Sequence, residues 1–421
     1  MSLMLRKDVQ WMGKKRYRIK ALPVTLLLAL VMLGCISIVI SATNRIVLPE
    51  TLPTEGDAVS QPVSEPEEPE EPAYPEPVSV RLIGVGDNLI HPAIYQQAAK
   101  RTNNEGFDFA YAYNNVRGLL AQADITSINQ ETVMAEGKPL SGYPQFNSPQ
   151  ELGLYLTETL GFDVVNMANN HCLDMGADGL TSTLDFWDTQ TPARTGVYRD
   201  EADAEQLRLA ERDGVVFAFL GMTESLNGLS LPADSPLIIV STRDEERIER
   251  MIRQAKAEAD VVVVNAHWGT EYTTDVGEAQ TALAEKMINW GADIILGHHP
   301  HVIQPVKYIT RHDGTQGVVA YSLGNFISAQ DTGWRMLGGA LDVTVTKSFE
   351  TDTIELSRVR FIPLVTHYEG NCTNVRVYPL ADYTEEMAQS HGVRSGKTPG
   401  FSVEWLNQSV SGVIDEQFLL P

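Results

Sequence analysis

The sequence predicts an α/β fold, and two observations carry that prediction. Short runs rich in Val and Ile, with little polar alternation, recur between residues 79 and 326, as strands buried on both faces do. Between them lie amphipathic segments with helix-start signals, the alternation that builds an α/β domain. A third observation concerns chemistry. Run after run ends in Asp, Asn, Glu or His, and three of the nine histidines fall in Gly297-His298-His299-Pro300-His301, directly after Ile294-Ile295-Leu296.

Residues 1–20 form a basic segment with seven Lys/Arg and one Asp. Residues 21–44 carry no charge and include LPVTLLLALVMLGCISIVIS, long enough at about 1.5 Å per helical residue to cross a hydrocarbon core of about 30 Å. A single-pass transmembrane anchor is expected there, its basic flank placing the N-terminus in the cytoplasm and the rest outside the cell membrane. Cleavage near Ser41-Ala42-Thr43 and lipoprotein processing at Cys35 are the competing readings. The apolar run is longer than a cleaved signal's core and continues past Cys35. Residues 45–78 read as a disordered, self-repelling stalk, since Pro49 to Pro77 holds eight prolines, nine acidic residues and no basic one.

Taking the +6 of residues 1–20, the +1 of Arg45 and the −9 of the stalk out of the total −23 leaves −21 on residues 78–421. So acidic a domain repels phosphate backbones, which excludes nucleic acid as a partner held by bulk charge. The main domain is expected over 79–370, with a C-terminal extension at 371–421 whose tail from about Ser390 is weakly patterned and reads as peripheral. Three cysteines, one of them in the apolar run, do not make a disulfide scaffold, although a bridge between Cys172 and Cys372 stays open.

In chain order the expected buried strands are VSVRLIGVGD, ADITSINQE, FDVVNMANNH, GVVFAFLGMT, ADVVVVNAHWG, ADIILGHHPH and GVVAYSLGNF. Ser148-Pro149-Gln150-Glu151 and Thr242-Arg243-Asp244-Glu245 carry helix-start signals, with Ser148 and Thr242 as the caps. GALDVTVTKS and IELSRVRFIPLVTHY alternate apolar and polar residues, as antiparallel strands covered on one face do.

The strand ends read Asp87-Asn88 with His91, then Asn129-Gln130-Glu131, Asn169-Asn170-His171, His267, His298 to His301, and Asn325. Ligands of open α/β sheets gather at such ends. Each residue alone reads equally well as a cap, a turn or a satisfied interior group; six ends together point to one crevice. Carboxylate, amide oxygen and imidazole without thiolate suit Mn²⁺, Fe²⁺ or Zn²⁺, one or two ions in all, and the pattern fits a two-metal hydrolytic site. His312, His367 and His391 are assigned no role. The GVRSGKT near residue 395 has His391 where a phosphate loop needs Gly. No Gly-x-Ser-x-Gly elbow occurs, and Cys172 has no activating neighbour beyond His171.

Taken together, GVGDNLIH, NQET, NMANNHCLDMGADGL, NAHWGTEY, GHHPHVIQP and YSLGNFI resemble the CapA family of bacterial capsule and poly-γ-glutamate synthesis proteins, which have a calcineurin-like metallophosphatase fold. The resemblance spans about Val80 to Ser328. It implies four layers, two packed β-sheets flanked by helices. It further implies Asp87, Glu131, Asn170, His267, His299 and His301 as metal ligands, with His171 as general acid or transition-state stabiliser. Asp87-x3-His91 replaces the usual Asp-x-His, and Asn129-Gln130-Glu131 stands where Gly-Asp is usual. His91, Asn88, His298 and Asn325 are therefore further candidates for metal or substrate, and Trp268, Glu271 and Tyr272 are expected to flank the opening. Two functions follow from the resemblance. One is a membrane-tethered metal-dependent phosphoesterase-like hydrolase acting on an envelope phosphoester or polymer. The other is a non-catalytic accessory subunit of a capsule or polyglutamate synthase or export complex.

Overall fold

Strand β1 (Val78–Asn88) is the axis of the first sheet in the computed structural model, which describes residues 74–420. The basic leader 1–20, the expected anchor 21–44 and the stalk up to residue 73 lie outside the described residues. Among the described residues no helix is long and apolar enough to cross a membrane.

From β1 the chain passes through helix α1 (Pro92–Arg101) to the parallel strands β2 (Ile125–Gln130) and β3 (Val164–Asn166), then through helix α2 (Gly176–Trp187) to β4 (Ala193–Thr195). Strands β5 (Val197–Tyr198) and β8 (Ile238–Ile239) form a small ribbon. Between them β6 (Arg208–Arg212) and β7 (Val215–Thr223) open the second sheet. Helices α3 (Glu245–Glu258) and α4 (Glu278–Trp290) alternate with the parallel strands β9 (Val261–His267) and β10 (Ile294–His298), and the hairpin of β11 (Val306–Thr310) and β12 (Gln316–Ala320) completes it. The order of this six-stranded sheet is β11-β12-β10-β9-β7-β6. The chain then returns to the first sheet through β13 (Asn325–Ile327), β14 (Leu337–Ser348), β15 (Thr353–Glu369) and β16 (Thr373–Pro379). That sheet has eight strands in the order β16-β15-β14-β1-β2-β3-β4, with β13 pairing in parallel with the end of β1.

Period-two alternation explains how the second sheet is sandwiched. In β9, Val261 and Val263 join the large core shared with the first sheet, while Val262, Val264 and Ala266 pack with Ile248, Ile252, Met287 and Ile288 of α3 and α4. Each fully buried aliphatic side chain of this kind contributes about 1.5–3 kcal/mol. The two sheets meet where Gly84 of β1 faces Leu296 of β10, since a Cβ on Gly84 would lie 2.5 Å from that side chain. The carboxyl ends of β1 and β10 therefore open on the same side.

The two-sheet α/β arrangement agrees with the sequence reading, and several local expectations do not. Ser148 spends its hydroxyl on Thr132 at 2.7 Å, and the helix Gln150–Leu154 is preceded by Pro149 without a side-chain cap. Asp244 rather than Thr242 caps α3 through Arg247 N–H. GVVAYSLGNF is two strands, β12 and β13, broken around Gly324, whose φ of +63° suits glycine. Cys172 and Cys372 are unbridged, and burial pushes the Cys172 thiol up to about 12.

The described part of the C-terminal extension, residues 371–420, contributes to the core. β16 is the edge strand of the first sheet, and Leu406 and Val410 of helix α5 (Val403–Ser411), with Phe401, Ile414 and Phe418, are buried in the large cluster. His367 and His391 are buried side by side, their rings 5.0 Å apart. Burial lowers both to about 4, with His391 adding to the effect on His367 and the Thr366 carbonyl opposing it at His391.

Candidate metal centre

Asp87 comes to the crevice as the penultimate residue of β1, in register with Asn129 on β2 and Asn325 on β13. Glu131 lies one residue beyond β2. In the other sheet His267 ends β9 opposite His298 on β10. Beyond β10 the chain turns through Pro300 with left-handed backbone at His299 (φ +98°) and His301 (φ +57°). Non-glycine residues hold such dihedrals at a cost of about 1–3 kcal/mol each, and here the turn brings both imidazoles to one side, 6.1 Å apart.

The side chains that meet there form two overlapping groups of metal-ligand type, Glu131 with His267 and His299, and Asp87 with Glu131 and His301. In each, the ligating atoms lie within 4.8 Å of one another. Asp87 Oδ2 accepts from the His299 backbone N–H at 3.2 Å and lies 3.2 Å from His301 Nδ1, while Oδ1 accepts from the Asn129 amide at 2.7 Å. His301 Nε2 is 3.7 Å from Glu131 Oε1. His267 Nε2 has three polar neighbours: Asn170 Oδ1 at 3.0 Å, His299 Nδ1 at 3.1 Å and Glu131 Oε1 at 3.7 Å. One nitrogen carries at most one hydrogen, so His267 Nε2 cannot satisfy all three of these neighbours at once.

The electrostatics match this crowding. Burial pushes the Asp87 carboxyl up, but the hydrogen bond and charge of His301, with the charge of His298, outweigh it and hold Asp87 below the ordinary range. Glu131 is wholly buried, and neither carboxylate oxygen has a hydrogen-bond partner. Its burial, reinforced by Asp87, Glu271 and Asp174 against the opposing His301, holds it well above the usual value. For His301 burial is overcome by Glu131 and Asp87, raising it to about 9. Burial, then the neighbouring imidazoles, holds His267 well below and His299 below the ordinary imidazole value. A buried carboxylate without donors, beside clustered imidazole nitrogens, matches the ligand chemistry that divalent cations take.

Asn170 and His171 follow β3. Asn170 reaches His267, and beside it His171 has its Nδ1 held 2.8 Å from Asp174 Oδ2 and its ring 4.8 Å from that of Phe146.

These contacts are assembled almost wholly within residues 81–330, and this span matches the family model described as bacterial capsule synthesis protein PGA_cap. The chain belongs to the PGA_cap family. It is 34% identical over 242 residues to the PGA biosynthesis protein CapA of Bacillus subtilis (strain 168), covering 56% of this chain and 60% of that one. To the capsule biosynthesis protein CapA of Bacillus anthracis it is 34% identical over 239 residues, covering 55% and 56%. The chain thus matches three fifths or less of the length of these relatives. A probable polyglutamine synthesis accessory protein of Mycobacterium tuberculosis is 21% identical over 343 residues, covering 76% and 81%. Among solved structures, the calcineurin-like phosphoesterase YfkN from Bacillus subtilis aligns with TM-score 0.42 at 14% identity, covering 79% of this chain and 99% of that one.

Not every candidate reaches the cluster of this PGA_cap domain. Asn88 points away, its amide donating to Gln130 at 2.6 Å and accepting from Tyr113 at 2.8 Å, because neighbours on a strand face opposite sides. Trp268 is buried for the same reason and donates to the Tyr321 carbonyl at 2.9 Å, so it does not flank an opening. His91 sits aside with Nδ1 accepting from Ala329 N–H at 3.2 Å, and burial lowers it to about 4. His298 lies beneath the cluster, 3.6 Å from Asp87 and 3.3 Å from Asn265 Oδ1, and Asn325 backs His301 at 3.1 Å. Half-buried Glu271 acts on Glu131 by its charge, and the ring of exposed Tyr272 is stacked on that of His301 at 5.9 Å.

Sequence reasoning placed Asn129 at a strand end without a role of its own, and here it ties Asp87 to His267 Nδ1 at 3.3 Å; it missed Asp174, which also accepts from Phe146 N–H at 2.6 Å. Asn129 was legible in principle, since it lies in register with Asp87. Asp174 gave no signal beyond standing three residues after His171.

Proposed function

We propose that this PGA_cap protein is a divalent-metal-dependent hydrolase of the phosphoesterase type, acting on an envelope phosphoester or polymer in capsule or poly-γ-glutamate biosynthesis. The observation that carries the reading is the wholly buried Glu131 carboxylate, without a protein donor, inside a ring of Asp87, His267, His299, His301 and Asn170. These six residues would hold the metal, one or two ions of Mn, Fe or Zn. When bound, the metal supplies Lewis-acid activation of the phosphoester and of water.

The chain's own residues do the rest. Asp87 is held in place by Asn129 and the His299 N–H, so its charge is positioned before any ligand arrives. His171 Nδ1–H donates to Asp174, which leaves Nε2 to exchange a proton with the leaving group. Tyr272 and Glu271 form the lip. In this reading segment 21–44 anchors the chain in the cell membrane with its N-terminus in the cytoplasm. The acidic segment 45–78 holds the domain in the envelope, within reach of synthase or export subunits.

The test is turnover of a broad phosphoester panel by the metal-loaded full chain beside Asp87→Ala. Turnover in the parent and its loss in the variant is the expected result. A metal-loaded parent inert on the whole panel favours an accessory role, the role named for the Mycobacterium tuberculosis relative. In that case Asp87→Ala leaves polymer production intact while deletion of residues 1–44 abolishes it.

A further inference from the structure

A domain carrying −21 over residues 78–421, with Asp87, Glu131, Asp174 and Glu271 around its crevice, repels an anionic substrate unless a local cation receives it. The charged groups bearing most strongly on Glu131, His299 and His301 are other carboxylates and imidazoles of the site. On Tyr272, one layer outward, the cation is Arg335.

Arg335 lies in the short helix Gly333–Met336 that follows β13, and its guanidinium carbon sits 3.5 Å from the centre of the Tyr272 ring. The same ring stacks on His301. Arg335, Tyr272 and His301 thus run as a stack from the surface into the cluster. Two features show that the stack is built. Tyr272 holds a left-handed φ of +67°, costly for an aromatic residue, and its N–H is fixed on the Pro300 carbonyl at 2.8 Å, inside the histidine turn. The Arg335 carbonyl accepts from the Asn325 amide at 2.9 Å, and Asn325 Oδ1 in turn backs His301.

The guanidinium is underused within the protein. Among the described residues its side-chain acceptor is Asp331, through Nη1 at 3.3 Å, and Asp331 is shared with Lys397 at 2.6 Å. Its remaining N–H groups form a planar fork suited to a carboxylate or phosphate. Stacking on an aromatic face orients that fork without consuming its donors.

We infer that Arg335, positioned by Tyr272, is the substrate-recognition residue of this site and binds an anionic oxyacid group, phosphate or carboxylate, of the molecule presented to the metal cluster. The inference rests on the proposed hydrolase reading and names the substrate's chemistry.

The test is calorimetric titration of the Mn²⁺-loaded full chain with inorganic phosphate and, separately, with a γ-linked glutamate oligomer, with metal content measured on the same samples. Arg335→Ala is expected to weaken binding of at least one probe about tenfold or more, the loss of one charge-assisted pair, with parental metal content. Arg335→Lys retains part of the affinity and Tyr272→Phe most of it, whereas Tyr272→Ala, which removes the shelf but no charge, weakens it. Loss confined to phosphate assigns a phosphoester, and loss confined to the oligomer a carboxylate polymer. Parental affinity for both probes in Arg335→Ala, or no binding of either by a metal-loaded parent, overturns the inference while leaving the metal reading intact. A parent that retains no metal overturns the hydrolase reading, and the same titrations still decide whether anion binding depends on Arg335.

Discussion

Replacing Glu131 by Gln is expected to have opposite effects on stability with and without metal. The side chain is fully buried and both carboxylate oxygens lack a donor, so the folded protein bears an unmet desolvation cost at this position. An unsatisfied buried polar group costs about 1–3 kcal/mol, and more when charged. The near-isosteric amide is neutral at every pH, so it relieves the cost of burying the charge or of holding the proton that burial imposes, without opening a cavity. In chelator the variant should therefore unfold about 1–3 kcal/mol later than the parent. With Mn²⁺ the order reverses. A ligand at a hundred times its dissociation constant stabilises the folded state by about 2.7 kcal/mol. The parent should gain that increment, and the variant, deprived of an anionic ligand shared by both groups, should gain little. Urea unfolding followed by circular dichroism, in chelator and across a metal series, measures both effects. Equal metal-dependent gains in the two proteins, or a variant less stable than the parent in chelator, would refute the reasoning.

Other perturbations separate chemistry from architecture. His171→Ala should lower kcat about 10²–10⁴-fold and Asp174→Asn about 10–100-fold, both with parental metal content; loss of metal instead would make them ligand-shell residues. Gly297→Ala places a Cβ 2.0 Å from the Tyr321 carbonyl oxygen, which backbone cannot yield, so the urea midpoint should fall by more than the 1–3 kcal/mol of ordinary overpacking; a near-parental midpoint contradicts the packing described. His367 and His391 are held neutral down to about 4, whereas their unfolded value is 6.5. Between those pH values the unfolded chain binds more protons, so stability falls as pH drops through that window. The loss is up to about 3 kcal/mol for each residue. Unfolding at pH 7 and pH 4.5 measures it, and a flat profile would show that these imidazoles are not held neutral.

The fold was legible where local pattern and tertiary burial agree. β9 is apolar on both faces because one packs on the other sheet and one on α3 and α4, and seven residues of such sequence leave little alternative. The FDVVNMANNH run was harder, since it enters the sheet for only three residues before turning into the loop that carries Asn170. The tail from about Ser390 looked peripheral because the apolar spacing of α5 is short and its partners lie far away in sequence. Asp87, Glu131, His267, His299 and His301 were legible because the end of a buried strand marks a crevice before any contact is known. Asn88 and Trp268 were misplaced by ignoring that neighbours on an extended chain face opposite ways. Arg335 gave no sequence signal, as its place over Tyr272 depends on a contact across 63 positions of chain.

Metal content per chain tests the central claim most directly. The full-length protein is loaded with Mn²⁺ or Fe²⁺, desalted and analysed by elemental mass spectrometry beside the His299→Ala/His301→Ala double variant. About one or two ions per parent chain and a clear loss in the double variant are predicted. A parent that retains no ion, or a double variant that retains as much as the parent, would contradict the account.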